Sequence, residues 1–140
     1  MTSKLGPSLE IQAAIVAALS ADAAVKTLIG TTPRINPVQS TTWPGSYIEI
    51  GEGQEIPDLA ECIDGTEVFF DIHIWSRADR SFADAKKIAA TIWDCLKSAA
   101  MTLTENRLLL IERETQQHMR DSDGVTLHVV LSLRALTEPK

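Results

Sequence analysis

Cysteine is almost absent. The 140 residues hold two, Cys62 and Cys95, with no CxxC or metal-ligand spacing, which excludes a disulfide framework. Positive charge is also scarce, with 13 Lys and Arg against 19 Asp and Glu, a formal charge of -6 and a pI near 5.0. That balance argues against a broad phosphate-neutralising surface, although an acidic protein can still let DNA pass without gripping it. No apolar run approaches the ~20 residues that would span a bilayer. Residues 1–7 lack the apolar core of a signal peptide, so assembly in a cytoplasm and no membrane partner are expected.

What remains is ordinary globular material, 44% hydrophobic and 23% charged. That size and composition suit one domain over 1–140, with 1–7 flexible. Leu9, Ile11, Ile15 and Leu19 recur at helical spacing after Pro7-Ser8. Ser20 is a candidate second N-cap, with Asp22 in the new first turn. Ala24, Val25, Leu28 and Ile29 carry the stripe to Gly30, predicting two short helices or one kinked helix. Residues 31–46 read as loop. Tyr47-Ile48-Glu49-Ile50 alternates as a short strand, and 54–65, with Pro57 and no period, reads as a long loop.

From Glu67 to Trp75 the alternation is clear. Val68, Phe70, Ile72 and Ile74 share one face, while Phe69, Asp71, His73 and Trp75 share the other. Ser81 with Asp84 resembles a capping box, and Phe82, Ala85, Ile88, Ala89, Ile92, Leu96 and Ala99 line one side of the helix it opens. Cys95 falls in this pattern as a buried thiol. Leu108 to Arg113 and Val125 to Ala135 predict a closing hairpin around the turn Asp121-Ser122-Asp123-Gly124. The order α(α)ββαββ implies an α+β fold, with a mostly antiparallel four-stranded sheet and helices packed on one face. Two helix–strand–strand halves are suggested, without a residue-level repeat.

If the helices cover the Val68/Phe70/Ile72/Ile74 face, the opposite face turns Phe69, His73 and Trp75 outward, with His128 beside them. Large aromatics there need a cover. A partner subunit and a folded-over 54–65 loop are both open as that cover. Asp71, His73 and His128 also raise a metal-assisted hydrolase, but no nucleophile or second acid accompanies them, so hydrogen bonding or interface roles are the plainer expectation. Asp121, Asp123 and Gly124 lack the ligand series of a calcium loop, and Gly51-Glu52-Gly53 lacks the spacing and lysine of a phosphate loop. No catalytic residue, metal site or cofactor is expected.

Several segments resemble a known family in that family's order. They are LEIQAAIVAALSADAAVKTLIG (Leu9 to Gly30), Tyr47 to Gly51, VFFDIHIWSRADRSFADAKKIAATIWDCL (Val68 to Leu96) and RDSDGVTLHVVLSLRALTEP (Arg120 to Pro139). The pattern is similar to the phage tail-completion or tail-terminator proteins of tailed phages, prophages and gene transfer agents. The resemblance implies a non-enzymatic virion subunit at the head-proximal end of the tail. There it would form a homo-oligomeric, commonly hexameric, ring contacting the tail tube protein and the head–tail connector proteins. DNA would pass through without specific binding. In that setting Phe69, His73, Trp75 and His128 are candidate interface residues, and Asp71, Glu112 and Glu114 candidate acidic residues of the lumen. A head-side connector or another minor tail assembly protein is the alternative within the same class.

Overall fold

Pro7 opens helix α1 (Pro7–Ala21), where a missing N–H costs little because first-turn donors have no partner within a helix. The computed structural model describes residues 6–30, 35, 46–60, 63–76 and 82–140. Residue 7 is thus helical, not part of a flexible leader, while the expected cap at Ser81 lies outside the described residues. Helix α2 (Ala23–Ile29) is bent 79° from α1. The break falls at Asp22, not Ser20: Asp22 takes an extended backbone and its carboxylate accepts from the Val25 N–H at 2.9 Å. Aspartate adds a favourable charge at the helix N-terminus to the hydrogen bond that serine also offers. Gly30 ends α2 at φ 116°, its N–H donating to the Lys26 carbonyl at 2.8 Å.

Strand β1 (Tyr47–Ala60), strand β2 (Ile63–Ser76), helix α3 (Phe82–Ser98), strand β3 (Asn106–Arg120) and strand β4 (Leu127–Pro139) follow. They form a four-stranded antiparallel sheet in the order β1-β2-β4-β3. A parallel bridge joins Ile35 to Ile48 on the outer side of β1. The helices pack on one face, as the element order implied. That face is built from Ile48, Ile50, Val68, Phe70, Ile72, Ile74, Leu127, Val129, Leu131 and Leu133, all buried against Ile11, Ile15, Leu19, Ile88, Ile92 and Leu96. Cys95 is buried as expected, and desolvation followed by the charge of Asp22 pushes its thiol up to about 11.

Of the long loop expected over 54–65, residues 54–60 and 63–65 are instead paired parts of β1 and β2, and 61–62 lie outside the described residues. Gln54 pairs with Phe69, and the ladder continues to Ala60 with Ile63. The pairing register shifts between Ile50 and Gly53, so the alternation restarts out of phase and no single period spans the strand. Gly53 is required there: a Cβ would sit 2.2 Å from the Phe69 carbonyl oxygen. Gly53→Ala is expected to cost about 1–3 kcal/mol through forced backbone movement, measurable as a lower urea midpoint with an unchanged slope.

Strand β3 also runs further than its apolar start suggested, to Arg120. Its polar half is covered on the helix side by long stems and rings. Arg113 lies 5.7 Å above Trp93, Arg120 lies 5.6 Å from Phe82, and His118 meets the Phe82 ring edge-on at 6.1 Å. Such amphipathic contacts bury surface without a hydrophobic period. Val125, expected in the final strand, precedes β4 and is exposed. Asp123 organises that turn by accepting from the N–H groups of Val125 and Thr126 and from the Thr126 hydroxyl.

Candidate functional site

The sheet face away from the helices is assembled from cross-strand rows. At one end lies Tyr47–Trp75–His128–Met119, then Glu49–His73–Val130–Gln117 and Asp71–Ser132–Thr115. Towards the other end come Gln54–Phe69–Arg134–Glu112 and Ile56–Glu67–Leu136–Leu110. Strand periodicity puts these side chains on one surface, since directly opposed residues share a face.

The aromatic end packs upon itself. The Trp75 and His128 rings lie parallel, with centroids 3.7 Å apart and planes within 8°. Tyr47 continues the stack on Trp75 at 6.2 Å, and His73 stacks beside His128 at 5.0 Å. His73 Nδ1 lies 2.7 Å from His128 Nε2, a hydrogen bond that needs one ring N–H and one lone pair. Burial lowers the pKa of His128 from its ordinary value; His73 acts in the same direction and the Asp121 charge opposes. The Trp75 Nε1–H is buried and finds no acceptor among the described residues. Directly beside this stack, one residue beyond Trp75 and one before Tyr47, Ser76 and Ser46 both donate to Asp84 of α3, at 2.9 and 3.3 Å, fastening the start of that helix to the sheet.

The middle of the face is charged. Arg134 is held between two carboxylates, Nε to Glu67 and Nη1 to Glu112, each at 2.7 Å. The hydrogen bond to Glu67, then that to Glu112, raises the guanidinium pKa above its ordinary value. Asp71 lies two residues from His73 on the same face, half-buried, while Glu114 occupies the β3 bulge between Arg113 and Thr115 and has no partner in the ladder. Asp71 and Glu112 therefore share one surface with Phe69, His73, Trp75 and His128, while the register assigns Glu114 to neither face. Among the described residues no group of three or more His, Cys, Asp or Glu is placed to hold a metal ion.

Sequence reasoning missed Tyr47 as the end of the aromatic stack, because register alone places it against Trp75. It also missed Glu10. This buried carboxylate of α1 accepts from the backbone N–H groups of Thr104, Glu105 and Asn106 at 2.8, 2.8 and 3.1 Å, and from Asn106 Nδ2 at 2.7 Å. No local pattern marks it, for its partners lie over 90 residues away.

The sequence model of the family described as tail completion protein gp17 matches residues 13–138. The chain belongs to that family. The tail completion fold is also seen in solved structures. One similar chain comes from the virion of a native gene transfer agent particle, with a TM-score of 0.83, 26% identity, and 94% of this chain and 96% of that one covered. Another is the gp17 protein of bacteriophage SPP1, with a TM-score of 0.60, 20% identity, and 91% and 88% covered, a likeness of fold. No curated protein sequence matches. Tail completion proteins are structural components of the virion tail, and this chain shares that structural class.

Proposed function

We propose that this tail completion protein is a subunit of a closed, hexameric ring that ends growth of the tail tube at its head-proximal end and offers the surface on which the head docks. The match along nearly the whole chain to a tail completion family and to a gene transfer agent virion chain carries this reading. The role is structural, with no reaction assigned to His73, His128 or Asp71. Its partners are further copies of itself, the tail tube protein and the head–tail connector proteins, with DNA passing unbound. The charged middle of the open face, with Asp71 and Glu112, is suited to a lumen, where acidic groups repel the DNA backbone. Glu114, in the β3 bulge, is a third lumen candidate. The aromatic end, with Trp75, His73 and His128, and Phe69 further along the face, supplies a contact for a neighbouring component.

Size exclusion with light scattering across a concentration series, followed by negative-stain imaging, tests the ring. A species near six times 15.3 kDa with a central hole is expected. Added to tails that lack it, the protein should cap tubes at one end; capping of filled heads instead would make it a head-side connector. Trp75→Ser is expected to leave the monomer folded by circular dichroism. It should weaken attachment to the partner component at least about tenfold, the scale of an aromatic anchor.

A further inference from the structure

His73 and His128 are not ladder partners. His128 stands opposite Trp75 and His73 opposite Val130, so the two imidazoles meet on a diagonal between β2 and β4. Trp75 sets that meeting. His128 lies flat on the indole at 3.7 Å, which leaves its Nε2 2.7 Å from His73 Nδ1, with the two imidazoles tilted only 21°. Tyr47 backs the indole from β1 at 6.2 Å. At 2.7 Å there is room for one hydrogen between the nitrogens, so one must donate and the other accept.

That contact counts protons. With both rings neutral, an N–H meets a lone pair. One added proton leaves the lone pair in place and makes the bond charge-assisted, which strengthens it. A second leaves two N–H groups and two positive charges against each other, and the bond becomes a repulsion. The surroundings decide where each proton goes. Burial disfavours charge on His128, the neighbouring His73 acts in the same direction, and Asp121 opposes. The first proton therefore goes to His73, whose ladder partner on β1 is Glu49 and whose neighbour along β2 is Asp71. The residues next along β4, Val130 and Ser132, carry no charge, nor do Gln117 and Met119 on β3. Arg134 is held by Glu67 and Glu112 further along, and Arg120 and His118 lie on the helix side against Phe82.

We infer that His73 and His128 form a proton-operated latch at the aromatic end of the open face, closed while the pair carries at most one added proton and opened by the second. The second proton comes from solvent and lands on His128 Nε2, the atom that had accepted from His73. His128 keeps its place, because the face of Trp75 favours a cation. His73 is the ring that leaves, towards the Glu49 side of the ladder. The depressed His128 pKa fixes the sign: the closed form is complete above 6.5 and is lost as pH falls through the folded value. Opening changes the surface beside Trp75 and spares the core, which lies on the other face of the sheet. The latch needs only this chain; its bearing on attachment rests on the contact proposed above for the aromatic end.

NMR of isotope-labelled histidine rings in the full chain, followed from about pH 8 to about pH 5, tests the latch. The chain has three histidines, and His118 on the helix side is the internal control. In wild type, His128 should titrate with a midpoint below 6.5. In His73→Gln, with its fold verified by circular dichroism, that midpoint should rise by about one unit, because the neighbouring charge is gone. His73→Phe gives the same comparison if the glutamine variant does not fold. His118→Gln should leave the His128 midpoint unchanged. A His128 midpoint that stays put when His73 is replaced would overturn the latch, as would a wild-type midpoint at or above 6.5. Attachment to tails that lack the protein is then compared about one unit above and about one unit below the His128 midpoint. Wild type should attach at least about tenfold more weakly at the lower pH, and His73→Gln should lose less. Equal wild-type attachment at both would overturn acid release, whereas no attachment at either would overturn the proposed contact and leave the latch standing on the NMR result.

Discussion

Glu10→Ala is expected to lower the unfolding free energy by about 3 kcal/mol, a large share of a small domain's stability. The substitution removes an acceptor that satisfies three consecutive backbone N–H groups, of Thr104, Glu105 and Asn106, and the Asn106 carboxamide. These contacts tie the first turn of α1 to the start of β3, across more than 90 residues of chain. Glu10→Gln should be destabilising too, because an NH₂ group would then face donors wherever it replaces an oxygen. The effect has a pH signature. Burial alone raises the Glu10 pKa, but the hydrogen bonds from Glu105, Asn106 and Thr104 outweigh it, and the folded value lies below 4.5. A depressed folded pKa means the contribution is complete above the unfolded value and is lost as pH falls through 4.5 and past the folded value. Urea melts at about pH 7 and about pH 3 should therefore show a larger acid loss for wild type than for Glu10→Ala. Equal losses would show that Glu10 contributes no pH-dependent stability.

Ile72→Asp is expected to abolish folding. Ile72 is fully buried between its ladder partners Ile50 and Leu131, on the face that the helices cover. A carboxylate there has no partner, and the combined loss of packing and desolvation is about 5 kcal/mol, comparable with the total stability of a small domain. The adjacent change Asp71→Asn is expected to stay within about 0.5 kcal/mol of wild type, because Asp71 points to the open face. The contrast between neighbours, read by circular dichroism and urea denaturation, measures the two-residue period of β2 directly. Ile72→Asp folding normally would mean that the helices do not cover this face.

Period was legible wherever one face of an element alone is buried against the core. In β2, the alternation of Val68, Phe70, Ile72 and Ile74 with Phe69, Asp71, His73 and Trp75 assigned both faces correctly. In α3, the spacing of Ala85, Ile88, Ala89, Ile92 and Leu96 did the same. Where an element is held by backbone pairing, the pattern fell silent. The 54–60 half of β1 carries Pro57 and acidic residues and follows a bulge, and only its register with β2 makes it a strand. The polar half of β3 is a strand because β4 lies beside it and because Arg113 and Arg120 lay their side chains over Trp93 and Phe82.

The site divides along the same line. His73, Trp75, Phe69 and Asp71 could be placed on one surface from a single strand, because period 2 is a local property of the chain. That His73 reaches His128, that Tyr47 completes the stack, that Arg134 joins Glu67 to Glu112 and that Glu10 caps three distant amides all depend on strand order and register. By itself the sequence determined the α+β class, the helix-covered face and the family resemblance, because these follow from local periodicity and segment order. Only the tertiary structure decided that Tyr47, His128 and Glu112 join Phe69, Asp71, His73 and Trp75 on one face, because that depends on which strands lie side by side, and a linear pattern of burial carries no record of neighbours.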